Sequence, residues 1–125
     1  IFDLNTVAAK FLFKPGSTAF LPNAQVTGPY PLWLQQIAAR TAQSNACLEI
    51  SGHTSRTGLE PRNERLSLRR AEYIKQRLES QDPALSKRTL AAGKGSRENL
   101  VGTGKDDVSD ALDRRVVFQV IDCAL

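Results

Sequence analysis

The chain has 125 residues, enough for one domain with a single buried core and no need of metal staples. Its 41% hydrophobic and 24% charged content is ordinary for a globular protein, and no run of about 18 apolar residues is present that could span a bilayer as a helix. A formal charge of +4 favours an anionic partner such as nucleic acid, acidic lipid or an acidic wall polymer, without choosing among them.

The chain opens at Ile1 rather than Met, without a basic then apolar leader. That is expected of a mature product or an excised domain, so any targeting signal or anchor would lie outside it. Residues 1–9 read as an N-terminal extension or linker remnant of a single domain spanning 1–125. There are no internal repeats, no low-complexity tract and no domain boundary.

Lys10–Lys14, KFLFK, alternates polar and aromatic residues and ends at Pro15-Gly16, predicting a short strand and a turn. The stretch LPNAQVTGPYP is rich in turn formers and reads as a loop. Pro31 suits the first turn of a helix. Leu34, Ile37, Ala38 and Thr41 then recur at i, i+3, i+4 and i+7, the buried face of a helix ending near Ser44-Asn45, with Trp33 beside it against a sheet. Cys47–Ser51, CLEIS, predicts a second strand with Leu48 and Ile50 on one face and Glu49 on the other, broken by Gly52. A polar turn runs to Pro61-Arg62, and a helix from about Asn63 to Ser80 buries Leu66, Ala71, Ile74 and Leu78 before Asp82-Pro83 stops it. TLAAGKG reads as a third strand entering a glycine turn, and a polar loop from Ser96 to Asp110 precedes the strand RRVVFQVID. There Val116, Phe118 and Val120 face one way, Val117 and Ile121 the other.

The order strand, helix, strand, helix, strand, strand predicts an α+β fold. It is a βαβαββ two-layer sandwich, with helices on one face of a mixed four-stranded sheet. Two cysteines are present, and one histidine with no CxxC, so neither zinc nor another metal is expected. Cys47 and Cys123 are either two buried thiols or one disulfide. If the last strand runs antiparallel beside the second, the start of one meets the end of the other; that geometry brings Cys47 to Cys123 and predicts the bond.

His53 follows a strand directly and is expected to tie down the turn through hydrogen bonds. Ser51, Thr54 and Ser55 are neighbours in sequence, but no GxSxG elbow accompanies them, and neither a nucleophile nor a metal supports a hydrolase. GKGS and GTGKDD lack the Walker spacing, and the two aspartates after Lys105 would repel a phosphate, so no nucleotide or other cofactor is expected. The helix bears Arg62, Arg65, Arg69, Arg70, Lys75 and Arg77. These are interleaved with Glu60, Glu64, Glu72 and Glu79, and with no aromatic stacking platform nucleic acid is not the expected partner. Arg62, Arg65 and Arg69 read as a solvated face paired with Glu64 and Glu72. Arg70 lies beside the apolar stripe, where an unpaired guanidinium would be costly, so a dedicated anionic partner is expected. Asn63 is seven residues earlier, about 20° from eclipsed at 3.6 residues per turn, so both can address one groove.

ISGHTSRTG followed by RNERLSLRRAEYIKQRL resembles the signature of the OmpA-like peptidoglycan-binding domain family: GHTD, a glycine turn, then Asn-x-x-Leu-Ser-x-x-Arg-Ala. FLFKPGSTAFL is similar to that family's first-strand segment, AAGKGSREN to its Gly-x-Gly turn and DRRVVFQV to its closing strand, so the likeness covers nearly the whole chain. The resemblance implies a non-catalytic domain in the periplasm of a Gram-negative bacterium, tethered to a membrane by a part of the protein outside this chain. It implies attachment of an envelope protein to the cell wall, without insertion of the domain into the membrane. The ligand it implies is the peptidoglycan stem peptide, gripped at meso-diaminopimelate: Arg70 on a carboxylate, Asn63 framing the pocket with Thr54 and the turn amides, and the motif's Asp on an ammonium.

Here Ser55 stands at that Asp position. A charge-assisted hydrogen bond is worth roughly 1.5–3 kcal/mol and a neutral one about 0.5–1.5, so affinity for an ammonium should fall about tenfold or more. Arg56 adds like charge. Three outcomes are open: Glu60 or Glu64 supplies the carboxylate, the domain binds a stem whose ammonium is absent or amidated, or wall binding is lost and the fold serves as an interaction module for another envelope protein. Lys14, where Asp is common, and Asp113, in place of Asn, are lesser departures.

Overall fold

The computed structural model describes residues 10–44, 46–56, 58–97, 112–121 and 123. The expected extension at 1–9 and most of the loop from Ser96 to Asp110 lie outside the described residues. In chain order the elements are β1 (Phe11–Leu12), α1 (Ala24–Thr27), α2 (Tyr30–Gln43), β2 (Cys47–Gly52), α3 (Glu60–Gln81), a 3₁₀ segment (Pro83–Lys87), β3 (Thr89–Gly93) and β4 (Arg115–Ile121).

The strands form one mixed sheet in the order β1-β4-β2-β3. β4 is antiparallel to β1 and to β2, while β2 and β3 run parallel. The register sets Ile50 opposite Phe118 and Leu48 opposite Val120, which puts these side chains on one face. α2 and α3 cover it. Leu34, Ile37 and Ala38 from α2 and Ala71, Ile74 and Leu78 from α3 join Leu48, Ile50, Val116 and Phe118 in one core. An aromatic cluster closes the β1 end: Phe11 lies 4.8 Å from Tyr30, 5.8 Å from Trp33 and 5.8 Å from Phe118, all edge-on. The Tyr30 hydroxyl accepts from Leu12 N at 2.9 Å, which satisfies its buried oxygen.

The α+β architecture follows the sequence, and so does the antiparallel pairing of β2 with β4. Cys47 pairs with Ile121, and the Cys47–Cys123 disulfide closes the ends of these strands with a Cα separation of 5.2 Å.

Four local readings are corrected. Gly52 does not break β2; it continues the ladder, opposite Val116 and Gly93. α3 starts at Glu60, not Asn63, because Pro61 falls in the first turn, where its missing N–H costs nothing. Its buried face is Asn63, Ser67, Arg70, Ala71, Ile74 and Leu78, with Leu66 only half-buried. The stripe is rotated because α3 approaches the sheet closely through small residues: a Cβ on Gly52 would overlap the Ser67 carbonyl. Finally, the turn-rich loop contains α1, a single turn capped by Asn23, whose Oδ1 accepts from Gln25 N at 3.0 Å.

Candidate functional site

The segment from His53 to Leu59 carries the chain from β2 into α3, and it is pinned from three sides. His53 N donates to Arg115 O of β4 at 2.8 Å, and Thr54 N donates to Gly95 O at 2.9 Å. Gly95 N in turn donates to Ser67 Oγ of α3 at 2.9 Å. Gly95 has φ +58°, open to glycine at no cost, and a Cβ there would overlap a Glu60 carboxylate oxygen. The turn after β3 thus locks the turn after β2 onto the helix.

Thr54, Ser55, Asn63 and Arg70 are all buried around this junction. Arg70 is fully buried. Its Nη1 donates to His53 O at 2.9 Å, Nη2 to Lys14 O at 2.8 Å and Nε to Ser17 O at 2.8 Å, while its guanidinium carbon sits 5.4 Å from the Phe13 ring centroid. Fork geometry suits such a task, since guanidinium N–H groups diverge in one plane toward several acceptors. Arg70 therefore joins the turn after β1 to the turn after β2, and Lys14, remote from the site by sequence, contributes its carbonyl.

His53 is buried, and burial first, then the cations of Arg115 and Lys94, push its imidazole down to about 4, against a smaller opposing pull from Asp113. It is neutral at neutral pH. The expectation that its ring ties down the turn is corrected: the backbone N–H and C=O do so, and Nδ1 makes no hydrogen bond among the described residues. It flanks a second cavity of about 280 Å³ with Glu49, Ser51 and Lys94. Asn63 Nδ2 also lacks a hydrogen-bond acceptor among the described residues, although its amide dipole lies close enough to help hold Glu60 ionised.

Glu60 and Glu64, the candidates for a substitute carboxylate, are engaged. Glu60 accepts from Ser96 Oγ and from Ser96 N at 3.1 Å, and lies 3.8 Å from Arg97 Nη1. The Ser96 hydroxyl bond foremost, with Ser96 N, Asn63 and Arg97, holds its carboxyl below the usual range. Glu64 pairs with Arg97 at 3.0 Å rather than with Arg62, Arg65 or Arg69, which are exposed and make no ion pair among the described residues. Arg56, Glu60, Ser96 and Arg97 line a cavity of about 510 Å³ at the start of α3. Sequence reasoning missed Ser96 and Arg97 as site residues. Their signal was their place directly after the Gly95 turn, in a segment otherwise read only as loop.

No group of three or more potential metal ligands occurs among the described residues. What the junction offers is buried hydroxyls and amides, an inward-held cation and a charged cavity beside them.

No curated protein sequence matches the chain. Among solved structures it is similar to the peptidoglycan-associated lipoprotein from Burkholderia pseudomallei, with TM-score 0.72 and 22% identity over 90% of this chain and 89% of that one. It is also similar to the C-terminal domain of Helicobacter pylori MotB, with TM-score 0.70 and 18% identity over 93% and 86%. A third likeness is to the cell wall anchor of the T6SS from Pseudomonas aeruginosa, with TM-score 0.60 and 23% identity over 86% and 72%. At these identities the likenesses speak to the fold. The model of the OmpA family matches residues 12–112, spanning β1 to the approach of β4 and both turns of the site, and on that match the chain belongs to the OmpA family.

Proposed function

We propose that the domain is a non-catalytic anchor that binds peptidoglycan through the diaminopimelate stem peptide, in the periplasm of a Gram-negative bacterium. A membrane attachment would come from a part of the protein outside this chain; no helix among the described residues is long and apolar enough to cross a membrane. The observation that carries the reading is the family match across residues 12–112, with Asn63 and Arg70 set in the junction between β2 and α3. Solved relatives described as a peptidoglycan-associated lipoprotein and a cell wall anchor support it. Arg70 then acts as a fixed cation at the floor of the site, and Asn63, Thr54 and Ser55 as neutral polar groups.

Co-sedimentation with purified sacculi tests this with wild type, Asn63→Ala and Ser55→Asp, each checked for native melting. The expected result is that wild type pellets, Asn63→Ala pellets less, and Ser55→Asp pellets more through a restored ammonium contact.

A second reading is an interaction module for another envelope protein. The burial of Ser55 and the commitment of Arg70 to three internal carbonyls favour it. Absence of wild-type protein from the sacculus pellet would select it.

A further inference from the structure

We propose that the groove between α3 and the open edge of β3 takes an extended segment of another protein, apolar with an acidic residue, added to the four-stranded sheet beside Ala91. The site is separate from the junction described above and stands whether or not wall binding does. Leu68, on the groove, lies about 160° around α3 from Arg70.

β3 ends the sheet order, with β2 as its one neighbour among the described residues. Leu48 N donates to Arg88 O and Lys94 N to Gly52 O, each at 2.9 Å, so the even-numbered positions along β3 bond toward β2. The N–H and C=O groups of Thr89, Ala91 and Gly93 therefore point outward. Two of these carbonyls are held: Thr89 O accepts from Lys75 Nζ at 3.0 Å, and Gly93 O from Arg97 Nη2 at 3.2 Å. Ala91, between them, makes no hydrogen bond outside the ladder among the described residues. Its outward donor and acceptor are the pair an added strand uses.

The flanks of this edge define the chemistry of the segment. α3 rests on Gly93, where a Cβ would overlap Glu64 O and Leu68 N. Beside that contact a groove of about 490 Å³ is lined by Pro61, Glu64, Arg65, Leu68 and Gly93. Leu68 is 37% exposed on the helix side of the edge. Leu90, which alternates with the core-facing Ala91, is 45% exposed on the other. An added strand covers both. Arg65 is exposed and makes no ion pair among the described residues, whereas Glu64 is already paired with Arg97. The matching segment has two adjacent apolar residues and then an acidic one. Alternation sends the first apolar and the acidic side chain into the groove, and the second apolar one onto Leu90. A second copy of this chain fits poorly. Antiparallel pairing about Ala91 would oppose Thr89 to Gly93, bring carbonyls already held by Lys75 and Arg97, and set those two cations side by side.

Two measurements test the proposal. In the free protein, amide hydrogen exchange at Ala91 is expected to be fast beside Leu90 and Ala92, whose N–H groups bond to β2. Equal protection of all three in the monomer overturns the proposal, because the chain itself then covers the edge. A dimer in sedimentation that Ala91→Pro dissolves overturns it too, because the occupant is then a second copy. The second measurement titrates the peptide acetyl-Ser-Ile-Val-Glu-Ser-amide, at millimolar concentration, into isotope-labelled protein. Saturable shifts of the Leu68, Leu90 and Ala91 amide resonances are expected. The same peptide with Lys in place of Glu should bind about threefold or more weakly, and Arg65→Glu should invert that order. Leu68→Ser should weaken the acidic peptide about fivefold or more. Ala91→Pro, which deletes an outward N–H that β2 does not use, should do so about fivefold. Arg69→Glu, the same charge change outside the groove, should leave the order of the two peptides as in wild type. Each variant is checked for native melting, and Leu68→Ser, at a part-exposed position, serves if Ala91→Pro does not fold. No shift at Ala91, unchanged affinity in Leu68→Ser or an unchanged order in Arg65→Glu overturns the proposal.

Discussion

Arg70 Nη1 donates to the carbonyl oxygen of His53 across 2.9 Å, linking the middle of α3 to the residue that leaves β2. The same guanidinium holds Lys14 O and Ser17 O, so one cation joins three segments that are remote in sequence.

Replacing Arg70 with Ala should therefore weaken the fold before it weakens any ligand contact. Three carbonyls would lose a donor, that of His53 in the interior and those of Lys14 and Ser17 where they are partly open to solvent, so a loss of about 3 kcal/mol is expected in urea denaturation. Arg70→Lys should recover only part of it, since an ammonium cannot reach three diverging acceptors in one plane. Wild-type stability in Arg70→Ala would show that the three bonds contribute nothing net.

Acid should destabilise the domain through His53. Its folded pKa of about 4 lies below the ordinary 6.5, so the unfolded chain takes up the proton first as pH falls. Stability from this group is complete above pH 6.5, declines between 6.5 and 4, and is lost below the folded value. The full window amounts to about 3 kcal/mol. Comparing wild type with His53→Gln in denaturant at pH 7 and pH 4 checks it: the variant should lose less stability over that interval.

Reduction should loosen the molecule without changing its topology. The disulfide spans a sequence separation of 76 residues, for which the chain-entropy estimate is about 4–5 kcal/mol as an upper value. A Cys47→Ala/Cys123→Ala variant should melt well below wild type, and reductant should shift wild type but not the variant.

Gly52→Ala should be costly for so small a change. The added methyl would enter the space of the Ser67 carbonyl, where backbone cannot swing aside. Overpacking of this kind costs about 1–3 kcal/mol, read as a lowered melting temperature; a stabilised Gly52→Ala would contradict the close approach.

Sequence reasoning reached far where one element decides the matter. Leu34, Ile37, Ala38 and Thr41 repeat at helical spacing, and all four are buried on α2. The pairing of Cys47 with Cys123 followed from assigning two strands and one relative direction. It reached less far where two elements meet. Ser67 faces the sheet because Gly52 lets the backbones approach, a fact held in neither helix nor strand alone. The placement of Asn63 and Arg70 on one side of α3 was readable from their spacing. The acceptors of Arg70 at Lys14 and Ser17, 56 and 53 residues away, come from a turn whose position only the assembled sheet fixes.

β4 stands between β1 and β2, so the last strand to leave the ribosome is the one that unites the first strand with the rest. A nascent chain lacking it has β1 without any ladder and β2 joined only to β3. The sheet can therefore assemble only after β4 has been synthesised, and Cys47 waits for the residues that follow it to find its partner. The folding of this domain is therefore timed by β4, the strand that joins both halves of its sheet.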